Sequence, residues 1–297
     1  MTPLQTLHSV GLSVHGRSAS TPKDLKATDI AVCAFALDSI PTSSRAQHAR
    51  LQQLQHAGAN AVELRRTSLP AGFRGFEELG HACKAHNQHI IYNTEDTLWD
   101  SGYISASLTS RLAEATALGA SAIKFSLGYY PGIKAACWPQ MIASLRGSMV
   151  DLVMIENDKS LVGGSLRPLT TCLEDAETLG YPLRMAFDSA NWRWCGVNQM
   201  LAAKRLGRFV RQIDCRDVRQ SNGRFYSSPP TSLEQRQWRA LLDEFEQASI
   251  FTLEYPLAAA CTEQTDNAGS INTMAEQATQ HARPERAPPL PIEAGFA

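Results

Sequence analysis

Four acidic residues, Glu156, Asp188, Asp214 and Glu254, each close a short apolar run: MVDLVMIE, LRMAFD, RFVRQID and SIFTLE. If these side chains meet, their charges repel unless a cation or bound protons offset them. An all-carboxylate set favours a hard ion, Mn2+ or Mg2+, over zinc, which usually takes nitrogen or sulfur as well. Such an ion can hold two adjacent oxygens of a hydroxy-carbonyl substrate and stabilise the enediolate left when a carbon-bound proton is removed. A ligand carboxylate beside that carbon can take or return the proton. This is isomerase or epimerase chemistry. One acid at a strand end is commonly a helix N-cap or a surface group, so the reading rests on all four together.

Residues so far apart along the chain meet only if the fold brings strand ends to one place. Apolar runs alternate with helical patterns along the chain, which predicts a parallel α/β protein. The strands read IAVCAFAL (30–37), NAVELR (60–65), HIIYN (89–93), SAIKFSL (121–127) and the four that end in acids. Helices are expected after Ser43 or Ser44, around 75–86, over 107–118, near 135–145, over 166–179, near 197–206 and over 232–247, with a last one over 269–281. Eight strand and helix units form a (β/α)8 TIM barrel, whose strands present their C-terminal ends at one mouth. The expected organisation is an N-terminal extension (1–26), one barrel domain (27–282) and a proline-rich tail (283–297). Side-chain alternation tests the acids. If Glu156, Asp188 and Glu254 face the barrel axis, then Val153, Ile155, Met185, Phe187, Phe251 and Leu253 face the helices, and all six are apolar. Ile213 agrees, whereas Arg211 breaks the pattern and is expected at the exposed start of its strand.

At 297 residues, with 28 Lys plus Arg against 29 Asp plus Glu, the chain has no charge excess suited to nucleic acid or an anionic membrane. Seven cysteines are scattered without C-x-x-C spacing, as expected of reduced thiols in a cytoplasmic protein. No apolar stretch reaches the roughly 20 residues of a membrane span. None of the eight histidines closes a strand, which speaks against a multi-histidine zinc cluster of the DNA-repair type.

Other residues near the expected mouth carry two readings each. Glu63 can hydrogen-bond a sugar hydroxyl or pair with Lys124 inside the barrel. Lys124 needs a counter-charge there, either from a substrate carboxylate or from such a pair. Trp192 and Trp194 form an apolar wall for a sugar or pack a loop. Arg193 and Arg216 bind phosphate or carboxylate, or lie on exposed loops. Gly163 and Gly164 precede a helix and form an anion cradle or a simple turn.

The segments GANAVELRR, LGASAIKFSLG, MIENDKSLVGG, FDSANWRW and LEYPL resemble the xylose-isomerase-like TIM barrels, a family of sugar phosphate isomerases and epimerases, hydroxypyruvate isomerase and ketose 3-epimerases. The resemblance runs from about residue 28 to 257. It implies Glu156 and Glu254 as metal ligands and the proton-transfer pair, with Asp188 as a further ligand. Family members commonly carry His where this chain has Asp214, although xylose isomerases proper use only carboxylates for the equivalent ion. Asn191 stands where ketose 3-epimerases often carry a substrate-contacting His, and it can still donate to and accept from a hydroxyl. The stretches ENDKSLVGG and SANWRW also resemble the epimerase-type proteins of 2-ketogluconate utilisation operons. The resemblance implies a small sugar or sugar-acid substrate, phosphorylated or not, one divalent cation, and a homodimer. The substrate contacts expected are Glu63, Lys124, Asn191, Trp192 and Arg216. Two other outcomes stay open: a dehydratase on the same scaffold, and a non-catalytic sugar-binding barrel whose metal site has decayed at Asp214.

Overall fold

The computed structural model describes residues 29–33, 44–56, 59–181, 183–221, 224–228, 237 and 240–254. The expected helix over 269–281, both terminal segments and most of the expected helix over 232–247 lie outside these residues.

Eleven strands are described: β1 (Asp29–Cys33), β2 (Ala61–Arg65), β3 (His89–Asp100), β4 (Tyr103–Ile104), β5 (Ala122–Gly128), β6 (Leu152–Glu156), β7 (Arg184–Asp188), β8 (Val210–Cys215), β9 (Asp217–Ser221), β10 (Arg224–Ser228) and β11 (Ile250–Leu253). Eight of them pair in parallel in the ring β1-β2-β3-β5-β6-β7-β8-β11, and β11 returns to β1, so the ring closes on itself. This is the expected (β/α)8 barrel. The helices are α1 (Ser44–His56), α2 (Phe76–Ala85), α3 (Leu108–Leu118), α4 (Trp138–Gly147), α5 (Leu166–Thr178), α6 (Ser189–Trp194) and α7 (Gln199–Leu206). Most lie within a few residues of their expected places, because each carries an apolar stripe and a recognisable end. One such end is Gly119, left-handed at φ 64° after α3.

Side-chain alternation divides the apolar residues into two cores. Val153, Ile155, Met185, Phe187, Ile213, Phe251 and Leu253 join the large core between sheet and helices, as expected from the sequence. A smaller core inside the ring contains Ala31, Ala61, Ile91, Ala122, Leu152, Met154, Ala186 and Ile250. Alternation on from this inner set reaches Cys33, Glu63, Asn93, Lys124, Glu156, Asp188 and Asp214, so a polar layer lies above it toward the C-terminal ends. Arg211, the exception to the pattern, is half-buried at the start of β8 and donates to the carbonyl of Val210.

Two features go beyond the repeating unit. β3 runs well past the expected 89–93, through an irregularity between Asn93 and Thr97, and turns back into β4. Glu95 sits in the irregularity at φ 57°, a left-handed conformation rare for a residue with a side chain. Local bonds hold it: Asn93 Oδ1 accepts from the Glu95 amide at 3.1 Å and Thr94 Oγ1 from the Asp96 amide at 3.1 Å. The second feature is the antiparallel pair β9 and β10, which follows directly on β8.

Gly128 joins the β3 extension to β5. It has φ 71°, and a Cβ there would lie 1.9 Å from the Trp99 carbonyl oxygen. Gly128→Ala is expected to cost about 2–4 kcal/mol in urea unfolding, through the combined backbone strain and clash.

Candidate active site

The polar layer gathers five carboxylates and three cations at the C-terminal end of the barrel. Lys124, on β5, is fully buried at its centre. Its Nζ lies 3.0 Å from Glu63 Oε2, 2.9 Å from Glu156 Oε2, 3.0 Å from Asp214 Oδ2 and 3.9 Å from Glu254 Oε1. Arg65, two residues beyond Glu63 and on the same face of β2, donates to Glu254 Oε1 at 2.9 Å. Arg216 pairs with Asp188 Oδ2 through Nε, at 3.1 Å, and Nη2, and its Nε lies 3.4 Å from Glu254 Oε2. Its Nη1 donates to Ser227 on β10 at 2.9 Å.

Neutral amides also donate to three of the acids. Gln212 Nε2 donates to Glu63 Oε2 at 2.7 Å and to Asp214 Oδ1 at 2.6 Å. Asn93 Nδ2 reaches Glu63 Oε1 at 3.0 Å and Glu156 Oε2 at 3.2 Å. Asp188 has a second task, because its Oδ1 accepts from the Asn191 amide at 2.9 Å and so caps α6. Asn157 exchanges hydrogen bonds with the Asp188 backbone at 2.8 and 2.9 Å, which ties the ends of β6 and β7 together.

The acids differ in access and in proton affinity. The side chain of Glu156 is 13% exposed, while those of Glu63, Asp188, Asp214 and Glu254 are closed to solvent. Burial raises Glu156 to about 7 against the opposing pull of Lys124. Burial also raises Glu63, and raises Asp214 well above the usual carboxylate range. For Glu254, burial is outweighed by Arg65, Lys124 and Arg216, which hold it at about 2. The Lys124 ammonium is held above its ordinary pKa, because Asp214, Glu156, Glu63 and Glu254 outweigh its own desolvation.

The residues fit a hard divalent cation. Glu156, Asp188 and Asp214 each offer an oxygen within 4.8 Å of the others. Glu254 stands in a second group with Cys33 and Glu63, turned toward Arg65. Its Oε2 is buried without a hydrogen-bond partner. Against Lys124, Arg65 and Arg216, the five carboxylates leave an excess of two negative charges when all are ionised.

Several of the residues read as substrate contacts are buried and paired. Glu63 and Lys124 are fully buried and paired, so they lie beneath the floor of the mouth. Trp192 is also fully buried, because α6 turns it into the helix-side core, 6.1 Å from Phe187. Of its two readings, this burial agrees with packing. Trp194 stays 41% exposed, with Lys159 Nζ 4.3 Å from its ring centroid. Asn191 is buried, donating to the Asn157 carbonyl at 2.8 Å and accepting from Arg216 at 3.1 Å. Arg193 pairs with Asp217. Gly164 is needed for close approach, since a Cβ there would lie 2.4 Å from Cys195 Sγ. Arg65, Asn93 and Gln212 were not anticipated, although each shares the inward parity of an acid.

No family model matches the chain. No curated protein matches it either. Among solved structures, it is similar to an L-ribulose 3-epimerase, with a TM-score of 0.60 and 13% identity over 88% of this chain and 100% of the other. It is also similar to a D-allulose 3-epimerase from Methylomonas sp. in complex with D-allulose, at 0.55 and 14% identity over 85% and 97%. A probable 3-DHS dehydratase from Bacillus anthracis matches at 0.54 and 12% identity over 84% and 99%. The chain shares the (β/α)8 barrel fold of these structures. Among the described residues, no helix is long and apolar enough to cross a membrane.

The proton affinities set a pH dependence. Between the ordinary glutamate value of ~4.3 and about 7, folded Glu156 keeps a proton that the unfolded chain has released. Its contribution therefore makes the metal-free protein less stable as pH rises through that window, and Glu63 and Asp214 act in the same direction. Glu254 acts oppositely: its stabilisation is complete above ~4.3 and is lost as pH falls toward about 2. Metal-free protein is expected to resist urea better at about pH 5 than at about pH 7.5, and Glu156→Gln should shrink the difference.

Proposed function

We propose that the chain is an isomerase or epimerase of a small ketose or keto sugar acid, with or without phosphate, that exchanges a proton next to a carbonyl. Glu156 carries this reading. It is the acid of the cluster whose side chain reaches solvent at the mouth, and its pKa of about 7 lets it both accept and return a proton near neutral pH. Glu254, at about 2, stays ionised. The two glutamates thus divide into a proton carrier and a fixed charge, a common way for one site to assign two roles to two carboxylates. For Glu254 to exchange a proton as well, its contact with Arg65 would have to open.

Arg65 and Arg216, with side chains 18% and 9% exposed, lie against Glu254 and Asp188 in the same cluster as Glu156. Their positive charge opposes the negative charge that develops on substrate oxygens as the carbon-bound proton leaves. Glu156, Asp188 and Asp214, with Glu254 beside them, would hold one Mn2+ or Mg2+ ion, which when bound supplies further Lewis-acid stabilisation to those oxygens. The fold shared with sugar 3-epimerases agrees with this reading. The likeness to a probable dehydratase keeps loss of water from the same enediolate as the runner-up. A third reading, a sugar-binding barrel without turnover, draws on Lys124, which already supplies positive charge to the cluster.

Incubating the Mn2+-loaded protein with a panel of ketoses and keto sugar acids in D2O is expected to place deuterium on the carbon next to the carbonyl. Glu156→Gln should slow this exchange by about 10²–10⁴-fold. Irreversible loss of water by mass spectrometry would favour the dehydratase. Metal binding with neither exchange nor dehydration across the panel would reject both enzyme readings.

A further inference from the structure

We infer that Lys124 is a tethered counter-cation standing in part for the divalent ion, so that the ion binds in competition with the Lys124 ammonium. The inference rests on the proposed reading of Glu156, Asp188 and Asp214 as ligands. It starts from which oxygens are already taken. Lys124 Nζ lies 2.9 Å from Glu156 Oε2 and 3.0 Å from Asp214 Oδ2. These are two members of the trio whose oxygens lie within 4.8 Å of one another. The third, Asp188, is paired with Arg216, and Glu254 with Arg65. Lys124 is therefore the cation that bridges Glu156 to Asp214.

The backbone holds it there. Lys124 is paired in register with Asn93 on one side and Met154 on the other, and its side chain is fully buried. The layer below is narrow and largely apolar, with Ala31, Ala61, Ala122 and Ala186 among its members. A doubly charged ion on the same carboxylates would stand within a few ångströms of the ammonium, and their repulsion exceeds thermal energy several-fold even at an effective dielectric of ~20. The same ammonium removes much of the carboxylate repulsion when no ion is present. The cluster can thus assemble without metal, at the expense of metal affinity.

The test uses Lys124→Met, which keeps length and removes charge, with Lys124→Gln as a second variant. Each is stripped with EDTA and titrated calorimetrically with Mn2+ beside the unsubstituted protein, and thermal midpoints are recorded in EDTA and in saturating Mn2+. At least one variant is expected to bind Mn2+ about 10-fold or more tightly than the parent, equivalent to ~1.4 kcal/mol. Its midpoint should fall in EDTA and rise further than the parent's on adding Mn2+. Equal or weaker affinity in the variants, with binding retained in the parent, overturns the inference and leaves the metal reading standing. Absence of binding in parent and variants alike removes both. Should neither variant fold, the parent labelled with 15N-lysine decides. The Lys124 ammonium resonance is expected to move on saturation with Mg2+, and a resonance unchanged while Mg2+ is bound overturns the inference.

Discussion

The buried contact between one ammonium and four carboxylates governs the interior of this barrel. Lys124 touches acids from β2, β6 and β8 and approaches the one that follows β11. Four sectors of the ring are thereby tied through a single atom. Removing water from so many charges is costly, and the mutual attraction offsets that cost only where the remaining hydrogen bonds are also made. Gln212 and Asn93 make several of them, each donating to two carboxylates. Burial raises the proton affinity of Glu63, Glu156 and Asp214, and the neighbouring carboxylates add to it against the pull of Lys124. Structure and acid-base chemistry here have one cause.

The barrel was legible in the sequence because the interior and exterior cores demand opposite parities on every strand. Val153, Ile155, Met185 and Phe187 could face only the helices, and this fixed Glu156 and Asp188 on the axis. What parity does not reveal is depth. Glu63 and Lys124 point inward as do Glu156 and Arg216, yet they lie beneath the floor, because their charges are satisfied by each other and by Gln212. The same rule applied two residues past Glu63 would have found Arg65. The place of Trp192 was open for another reason: Asp188 closes a strand and also caps α6, and that helical turn sends Trp192 outward. The extension of β3 had no local signal, since the left-handed position in its irregularity is Glu95 and not glycine. The β9 and β10 pair did have one, the Asn222-Gly223 dipeptide between two strand-like runs.

The division between Glu156 and Glu254 illustrates how neighbours rather than residue type set chemical character. Both are glutamates at the ends of barrel strands, and burial pushes both upward. Arg65 and Arg216 reverse the outcome for Glu254 alone. Moving one guanidinium would alter which acid carries the proton without changing any acid.

Arg216 ties this electrostatics to the β9 and β10 pair. One guanidinium serves Asp188 through Nε and Nη2 and the hairpin residue Ser227 through Nη1. The grip on the hairpin and the charge balance of the floor are consequently linked variables, and by reciprocity a change at one must be felt at the other. Whatever alters the negative charge at Asp188 alters how firmly the hairpin is latched, and whatever bends the hairpin retunes the floor.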